Sequence, residues 1–436
     1  MQRIHIKNVT KELNNKEVKI AGFLQEIRSL SKLSFFIVRD ITGTIQCTLK
    51  KANIDEDSYK IWSSIERESV IEVDGVVKAG TEAKSGIEIE VKNIHLVSRA
   101  SVPLPLPVVD KVNATLDTRL NNRFLDVRKE RISNIFKFRS AVIQHIREFL
   151  ISEGFIEIET PKIVSQGAEG GATLFPIDYF GNKAYLAQSP QLYKQMAMAS
   201  GLERVFEISH AFRAEPSDTI RHLTEFTSLD IEMSYIDSSE DIRNILERMI
   251  LHVVNAITAK NMDLINFLGV ELPKITIPFP RIPYIECKNM LSQKGINALD
   301  IGSEEEKILG QLVLEKYGVD FYFINDFPVE VKKTTFYAKR LEDNPDLTGY
   351  FDLEFRGMEI TSGGQREHRY DVLVSQIKEA GLSPDSFEGY LKAFKYGIPA
   401  HGGFGFGVDR LIQQLLKEAN IREVVLYPRD RFRLVP

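Results

Sequence analysis

The sequence of 436 residues contains only two cysteines, Cys47 and Cys287, which are far apart along the chain. Two isolated cysteines do not have the spacing of a zinc site or of a disulfide framework, so we expect reduced thiols and no structural zinc. The sequence also lacks an apolar run of membrane-spanning length, and its first residues, MQRIHIK, lack the apolar core of a signal peptide. These absences predict a cytoplasmic protein with no membrane partner.

Two common nucleotide-binding signatures are also missing. The sequence has no Gly-x-x-x-x-Gly-Lys-Ser/Thr phosphate loop, and the glycine-rich segment at residues 401–407 lacks the strand, turn, helix and following acidic residue of a dinucleotide site. The net charge of -5 argues against a basic coat for nucleic acid, although a local cleft can still bind RNA phosphates. Any nucleotide or RNA site in this chain must therefore be formed by side chains clustered in one cleft, and not by either of these motifs or by a basic surface.

The most informative segment is residues 212–226, FRAEPSDTIRHLTEF. It lies between two strand-like runs, residues 205–212 and 227–236, which predicts a hairpin. Its arginines and histidine can bind phosphate oxygens, and Phe226 can stack on a base, so the hairpin suits a bent nucleoside triphosphate. Taken alone, the segment is equally compatible with a solvated charged turn.

A second segment, HGGFGFGVDRL at residues 401–411, predicts a glycine-rich strand that leads directly into a helix ending near Leu416. Alternating glycines allow a backbone to pass close under a flat ligand. Arg410 would lie on the first turn of that helix and face the same space. The two segments together favour a nucleotide site more strongly than either does alone.

The N-terminal part of the sequence predicts a small barrel. Strand-like runs occur at residues 18–23, 34–39, 44–49, 70–77 and 87–97, with one helical stretch at residues 59–65. Five strands with a helix before the fourth are typical of an oligonucleotide-binding (OB) barrel, whose open face stacks bases on aromatic side chains. The candidates for that face are Phe23, Arg28, Phe35 and Phe36, and alternation should send at least one phenylalanine inward.

The two nucleotide segments resemble the second and third signature motifs of the class II aminoacyl-tRNA synthetases. Residues 135–161, a helix followed by a strand that Pro161 closes, are similar to the first motif, which forms much of the homodimer interface in that family. The preceding barrel and residues 188–195, 224–233 and 362–368 look like the aspartyl branch, of the archaeal and eukaryotic type. No motif marks residues 240–320, which we interpret as a helical insertion plus core strands.

The resemblance implies a multidomain α+β fold. We expect an OB-fold anticodon-binding barrel in residues 1–104, a hinge at residues 105–135 that begins in a proline-rich stretch, and a catalytic domain in residues 136–436. The catalytic domain of this family is an antiparallel β-sheet flanked by helices. The implied partners are ATP, L-aspartate, tRNA-Asp and a second copy of the chain, and tRNA-Asn remains an open alternative.

The resemblance also implies a set of site residues. Asp230 would pair with the substrate ammonium, Lys194 and Arg366 would clamp the side-chain carboxylate, and Glu169 would lie in a mobile loop that closes over the amino acid. The full aspartate set is Glu169, Ser189, Gln191, Lys194, Arg213, Asp230, Ser362 and Arg366. The ATP set is Arg213, Glu215, Arg221, His222, Leu223, Phe226, Glu359, Gly407 and Arg410, of which Arg213 and Arg410 are catalytic. A Mg²⁺ ion would be held by Glu359 and Ser362.

The anticodon contacts implied by the resemblance are Gln25, Phe35 and Lys84. In this family, lysine at the position of Lys84 accompanies preference for tRNA-Asp, whereas Gln25 departs from the usual tryptophan or histidine. We therefore expect an enzyme that prefers tRNA-Asp.

Three other functions are compatible with parts of the pattern. An asparaginyl enzyme would have to accept an amide in a pocket rich in cations. A tRNA-independent paralogue that amidates aspartate would have little use for the barrel. A non-catalytic RNA-binding protein should have lost Arg213, Glu359 or Arg410, and all three are present.

Overall fold

The computed structural model describes residues 2–30, 33–109, 113–167, 173–216 and 218–436. The chain forms two compact units, Met1–Pro107 and Val108–Pro436. Among the described residues, no helix combines the length and the apolar character needed to cross a membrane.

The first unit is built from five strands and one helix. They are β1 (Glu17–Ser29), β2 (Leu33–Asp40), β3 (Gly43–Lys50), α1 (Glu56–Ser64), β4 (Val70–Ala79) and β5 (Ile87–Ser98). The strands close into a barrel in the order β1-β2-β3-β5-β4, and only the β3–β5 pair is parallel. The predicted barrel of five strands, with its helix before the fourth, is confirmed.

Alternation along the strands decides which aromatic residues fill the barrel. Phe36 is 1% exposed and its ring centroid lies 4.8 Å from that of Trp62 on α1, so the helix packs against the barrel core. Phe23 and Phe35 are only partly buried. Phe35 lies opposite Arg28 on β1 and Thr48 on β3, on the outer face. Phe36 is therefore a core residue and not a base-stacking candidate.

The second unit contains eleven strands and eleven helices in its described residues. They are α2 (Leu116–Asn121), α3 (Arg123–Asp126), α4 (Glu130–Ser152), β6 (Ile156–Glu157), β7 (Ile163–Val164), β8 (Pro176–Tyr179), β9 (Asn182–Leu186), α5 (Gln191–Ala199), β10 (Arg204–Phe212), β11 (Glu225–Ser234), α6 (Ser239–Lys260), α7 (Met262–Leu268), β12 (Arg281–Pro283), α8 (Tyr284–Ser292), α9 (Ser303–Tyr317), β13 (Phe321–Asn325), β14 (Tyr350–Phe355), β15 (Glu359–Gln365), α10 (Tyr370–Glu379), α11 (Glu388–Lys395), β16 (His401–Gly407) and α12 (Val408–Leu416).

Eight of these strands form one sheet in the order β12-β13-β14-β15-β16-β11-β10-β6. All neighbours from β13 to β10 pair antiparallel, while the edge strands β12 and β6 pair parallel to their neighbours. The expected antiparallel sheet flanked by helices is thus confirmed for its six central strands, and the whole sheet is mixed.

Alternation on β11 separates the core from the polar face of the sheet. Leu229, Ile231 and Met233 point into the main hydrophobic core, which also contains apolar side chains of α4 and α6. Asp230 and Glu232 point to the opposite face and are nevertheless buried. Because buried carboxylates need partners, this second face must hold cations.

Residues 105–135, the expected hinge, include two short helices of the second unit. Arg123 on α3 is fully buried and donates to the backbone carbonyls of Glu423, Val425 and Leu426. Arg119 on α2 pairs with both Asp126 and Glu423. Apart from Asp126, these partners lie 300 to 304 positions away in the sequence, so composition alone could not place α2 and α3 in the second unit.

Candidate active site

A polar cavity of about 420 Å³ lies on the sheet face that carries Asp230. Its walls come from the β10–β11 hairpin, from β15 and β16, and from the first turn of α12. The residues that line it include Gln188, Ser189, Gln191, Arg213, Glu215, Arg221, His222, Leu223, Phe226, Ser228, Asp230, Tyr350, Glu359, Ser362, Gly405, Gly407 and Arg410. Thirteen of the sixteen site residues predicted for the catalytic domain are in that set; Lys194 and Arg366 are buried, and Glu169 lies outside the described residues.

The hairpin places cations at one end of this cavity. Residues 204–212 and 225–234 pair in register, and the Arg213 N–H extends the pairing by donating to Thr224 O at 2.9 Å. The guanidinium carbon of Arg213 lies 5.4 Å from the centroid of the Phe226 ring. The predicted hairpin is present, with an aromatic face directly beside its first arginine.

His222 lines the cavity close enough to two of its arginines to be affected by their charges. Burial, together with the positive charges of Arg410 and Arg221, lowers the pKa of His222 to about 4. Thr219 Oγ1 lies 2.7 Å from His222 Nδ1. The imidazole is therefore neutral at pH 7 and can offer an anion one N–H hydrogen bond, but no positive charge.

The glycines of β16 serve two different purposes. A Cβ on Gly403 would lie 2.0 Å from Ile231 O, so this glycine is required by close strand packing. A Cβ on Gly405 would meet only Asp230 Oδ1, at 3.5 Å, and Gly405 lines the cavity. The open backbone that the sequence predicted is provided by Gly405 and Gly407.

Arg410 follows this strand on the first turn of α12, as predicted. Its Nη1 donates to Glu359 O at 2.8 Å, which ties the helix to β15. The preceding residue, Asp409, accepts from Thr227 N at 2.8 Å and pairs with Arg139 of α4. The contact of Arg410 with β15, and those of Asp409 with β11 and α4, therefore fix the position of Arg410 at the cavity wall.

At the cavity floor and directly beneath it, four charged side chains form two buried ion pairs, which we call the charge quartet: Lys194, Asp230, Glu232 and Arg366. Lys194 Nζ donates to Asp230 Oδ1 at 2.8 Å and to Phe404 O at 2.9 Å. It also lies 3.7 Å from Glu232 Oε2. Every member of the quartet is at most 3% exposed.

Arg366 makes more hydrogen bonds within the protein than its predicted role, binding the substrate carboxylate, suggested. Its Nε and Nη2 donate to the two oxygens of Glu232 at 3.0 and 3.3 Å, Nη2 also donates to Gly403 O at 2.9 Å, and Nη1 donates to Tyr350 OH at 3.1 Å. Sequence reasoning did not single out Glu232. Its place two residues after Asp230, on the same strand face, was the signal that could have identified it.

An acidic group lies beside the quartet on β14 and β15. Ser362 Oγ donates to Asp352 Oδ1 at 2.5 Å, and Lys332 Nζ donates to Asp352 Oδ2 at 2.8 Å. Burial raises the pKa of Asp352 to about 6, against the opposing effect of Lys332. Sequence analysis had chosen Glu359 and Ser362 and missed Asp352.

The number of carboxylates near Ser362 indicates which kind of Mg²⁺ site they could form. In the part of the chain that the structure describes, no three His, Cys, Asp or Glu side chains are grouped closely enough to hold a metal ion. Mg²⁺ commonly takes one or two carboxylates and completes its shell with water and substrate phosphate oxygens. The pair Glu359 and Asp352, with the Ser362 hydroxyl, fits that kind of site and not a closed protein cage.

The amide residues at the other end of the cavity are Gln191 and Gln188. Gln191, the first residue of α5, has a buried Nε2 without a hydrogen-bond partner among the described residues. Ser189 Oγ accepts from Gln191 N at 3.4 Å. Unsatisfied buried donors are rare in folded proteins, so this amide is a candidate contact for a bound ligand.

In the barrel, the three predicted RNA contacts lie on different elements. Phe35 is on β2, Gln25 lies where the pairing of β1 with β2 shifts register, and Lys84 is exposed in the connection between β4 and β5. Gln25 Oε1 is buried and has no partner within the described ranges. All three side chains belong to the first unit, whereas all residues that line the cavity belong to the second unit.

Comparison with known proteins places both units in families. Residues 115–431 match the family described as tRNA synthetases class II (D, K and N), and residues 18–97 match the OB-fold nucleic acid binding domain. The chain is 50% identical to an aspartate--tRNA(Asp) ligase of Pyrococcus abyssi, with all of both chains covered. It is 46% identical to an aspartate--tRNA(Asp/Asn) ligase of Methanopyrus kandleri, with 98% of each covered.

Two solved structures show the same architecture. Asparaginyl-tRNA synthetase from Pyrococcus horikoshii, complexed with asparaginyl-adenylate, superposes with a TM-score of 0.91 at 34% identity over all of both chains. Aspartyl tRNA synthetase from Entamoeba histolytica superposes with a TM-score of 0.86 at 32% identity, covering all of this chain and 93% of that one. The first unit is a five-stranded barrel, and in the second unit the hairpin and the glycine strand line one cavity. Together with these matches, this shows that the chain belongs to the class II tRNA synthetases of the aspartate, lysine and asparagine group.

Proposed function

We propose that the chain is an aspartate–tRNA ligase, which activates L-aspartate with ATP to aspartyl-adenylate and transfers it to the 3′ end of tRNA. The charge quartet is the observation that carries this proposal. Its two cations, Lys194 and Arg366, and its two carboxylates, Asp230 and Glu232, sum to no net charge. A buried site with net charge is costly, so a substrate should preserve that balance.

The α-carboxylate that both amino acids carry would be taken by Arg213, so only the ammonium and the side chain would reach the quartet. There L-aspartate adds one positive and one negative charge and keeps the balance, whereas L-asparagine does not. The ammonium group of either amino acid would bind Asp230, whose other oxygen accepts from Ser228 Oγ at 2.7 Å. Aspartate also brings a side-chain carboxylate, which would turn toward Lys194 with the charge of Arg366 directly behind it. Asparagine would bring the ammonium alone and leave the quartet with one excess positive charge. This difference supports aspartate, although a structural relative binds asparaginyl-adenylate.

The rest of the cavity fits ATP. Arg221, His222 and Arg410 would hold the β- and γ-phosphates, with Phe226 stacked on the adenine and Gly407 under it. Glu215 and Leu223, which also line the cavity, would flank the nucleotide. The Mg²⁺ ion that Glu359 and Ser362 would hold, with Asp352 beside them, supplies positive charge to the triphosphate.

The reaction needs no protein nucleophile. The α-carboxylate of aspartate attacks the α-phosphorus of ATP, the bond to pyrophosphate breaks, and the 3′-terminal adenosine of tRNA then attacks the adenylate. Arg213 would orient the α-carboxylate and the α-phosphate and stabilise the charge that develops between them. Ser189 and Gln191 would add neutral hydrogen bonds to the amino acid.

Three further parts of the proposal concern partners and location. The barrel would bind the anticodon through Gln25, Phe35 and Lys84. A homodimer would form through α4 and β6, where Ile151 is 60% exposed and Ile156 is 46% exposed. Because ATP and tRNA are used in the cytoplasm, the proposed activity implies that location.

The proposal predicts exchange of pyrophosphate into ATP in the presence of Mg²⁺ and L-aspartate, without tRNA. L-asparagine should support exchange at least about tenfold less efficiently, because a buried unpaired charge costs on the order of 1–3 kcal/mol. Chelation of Mg²⁺ should abolish the exchange. Exchange that depends on asparagine or lysine, or on no amino acid, would contradict the assignment.

Replacement of Arg213 by Ala should depress the rate constant of adenylate formation by about 100- to 1,000-fold, as is typical when a preorganised charge donor is removed. The KM for aspartate should change less than this rate constant, because Arg213 would contact the α-carboxylate in the ground state but meets the larger charge in the transition state. Arg340→Ala is a matched control, since Arg340 pairs with Glu379 at the surface. Pre-steady-state measurement of adenylate formation checks both variants, and an unchanged rate for Arg213→Ala would refute the role of the hairpin.

Preference for tRNA-Asp over tRNA-Asn should depend on Lys84. A lysine donates hydrogen bonds but accepts none, so it favours an anticodon base that presents acceptors. Lys84→Pro should shift the ratio of charging efficiencies toward tRNA-Asn, whereas pyrophosphate exchange stays at the wild-type rate. Aspartylation assays with both tRNAs measure the ratio, and equal charging of the two by the wild-type protein would show that the preference does not exist.

A further inference from the structure

Helix α9 brings an acidic side chain to the cavity from a part of the sequence without motifs. Glu306, in the first turn of α9, is 6% exposed, and its Oε2 accepts from Arg221 Nη1 at 2.6 Å. Its Oε1 accepts from Arg221 Nη2 at 3.4 Å, so the carboxylate faces the fork of the guanidinium. Residues 85 positions apart in the sequence are thus joined in a two-point contact beside the cavity.

The helix is fixed in place by direct backbone packing. A Cβ on Gly310 of α9 would lie 2.5 Å from Gly357 N, in the turn between β14 and β15. Gly357 has a φ of +70°, and a Cβ on it would lie 2.7 Å from Glu306 O. Only glycines allow the helix and the turn to approach this closely. Glu306 is therefore held rigidly relative to the strand that begins at Glu359.

Arg221 needs such a partner because other anions are close to it. Its charge favours the ionised forms of Glu354, which is buried, and of Glu359, which lines the cavity. Glu354 Oε2 has no hydrogen-bond partner in the described part of the chain. A long arginine side chain has many rotamers, and without Glu306 the guanidinium would no longer be confined to the rotamer in which it lines the cavity.

We propose that Glu306 is a positioning residue: it holds the guanidinium of Arg221 by its two Nη atoms so that the remaining donors face the triphosphate of ATP. Arg221 lines the cavity, and its Nε makes no hydrogen bond within the described residues. The ion pair holds the Arg221 side chain in the rotamer that binds ATP. Less conformational entropy of this side chain is therefore lost when ATP binds. This role rests on the proposed use of ATP and assigns α9 a function in it.

A double-mutant cycle on ATP binding tests this role. The full-length wild type and the variants Glu306→Ala, Arg221→Ala and their combination are compared by calorimetry with Mg²⁺ and ATP, without an amino acid. Glu306→Ala should raise the Kd for ATP by about tenfold, within the range of coupling seen for directly contacting side chains. In the Arg221→Ala background it should have a much smaller effect, because Arg221 is the main partner of Glu306 and the remaining contact, Glu359 N donating to Glu306 Oε2, is long at 3.4 Å. The KM for aspartate should stay unchanged.

Two further variants make the result unambiguous. Glu306→Gln keeps the size and one acceptor, so it should give a smaller rise in Kd and serves the same cycle if Glu306→Ala does not fold. Glu304→Ala is the matched control, since Glu304 is in the same turn of α9 with a side chain that is 77% exposed. It should bind ATP like the wild type.

Additive effects of the two replacements, or tighter ATP binding by Glu306→Ala, would overturn the positioning role. Tighter binding would mean that Glu306 merely repels the phosphates. This outcome is distinct from failure of the proposed function: a wild type that binds ATP but does not activate aspartate would contradict the ligase assignment and leave the coupling of Glu306 to Arg221 intact.

Discussion

The pairing of buried charges beneath β16 is the constraint on which the rest of the second unit depends. Asp230 and Glu232 point away from the hydrophobic core and are buried all the same, so they require Lys194 and Arg366. Loss of one partner of such a pair typically costs about 3–5 kcal/mol, because the remaining charge stays buried and unpaired. The quartet therefore fixes the relative positions of α5, β11 and the end of β15, which are the elements that form the cavity floor.

The glycines of β16 follow from the same constraint. A Cβ on Gly403 would lie 2.4 Å from Glu232 Oε2, and Gly403 O is itself an acceptor for Arg366. The strand must pass directly over the ion pairs, and a side chain at this position would separate them. Two residues later Gly405 faces the cavity, so one glycine-rich strand covers the quartet and at the same time leaves space for a ligand.

Much of the architecture was predictable from the sequence because it follows from local periodicity. Strict alternation located all five barrel strands, and the hairpin and the glycine strand were visible as short continuous motifs. Alternation also required one barrel phenylalanine to be internal, but it could not decide that this was Phe36 and not Phe35, since that choice depends on the register with neighbouring strands and on Trp62.

The side chains that sequence reasoning missed share a physical property. Glu232, Asp352 and Glu306 are acidic residues whose partners lie 10 to 134 positions away. An isolated glutamate on a strand or in the first turn of a helix is usually solvated, and only the folded chain shows that these three are buried and paired. The cations Arg221 and Arg366 were predicted as ligand contacts, whereas Glu306 and Glu232, the anions that pair with them, were not.

The central claim is that a neutral quartet selects the substrate that keeps it neutral. Its most direct test is the efficiency of pyrophosphate exchange with L-aspartate and with L-asparagine in Lys194→Met, with the exposed Lys183→Met as control. The account predicts that kcat/KM for aspartate falls by about 10- to 100-fold, the loss expected for one charged hydrogen bond. The value for asparagine should change far less, so that the ratio of the two falls. An unchanged ratio would contradict the account, because both substrates would then depend on Lys194 equally and the charge balance would play no part in the choice.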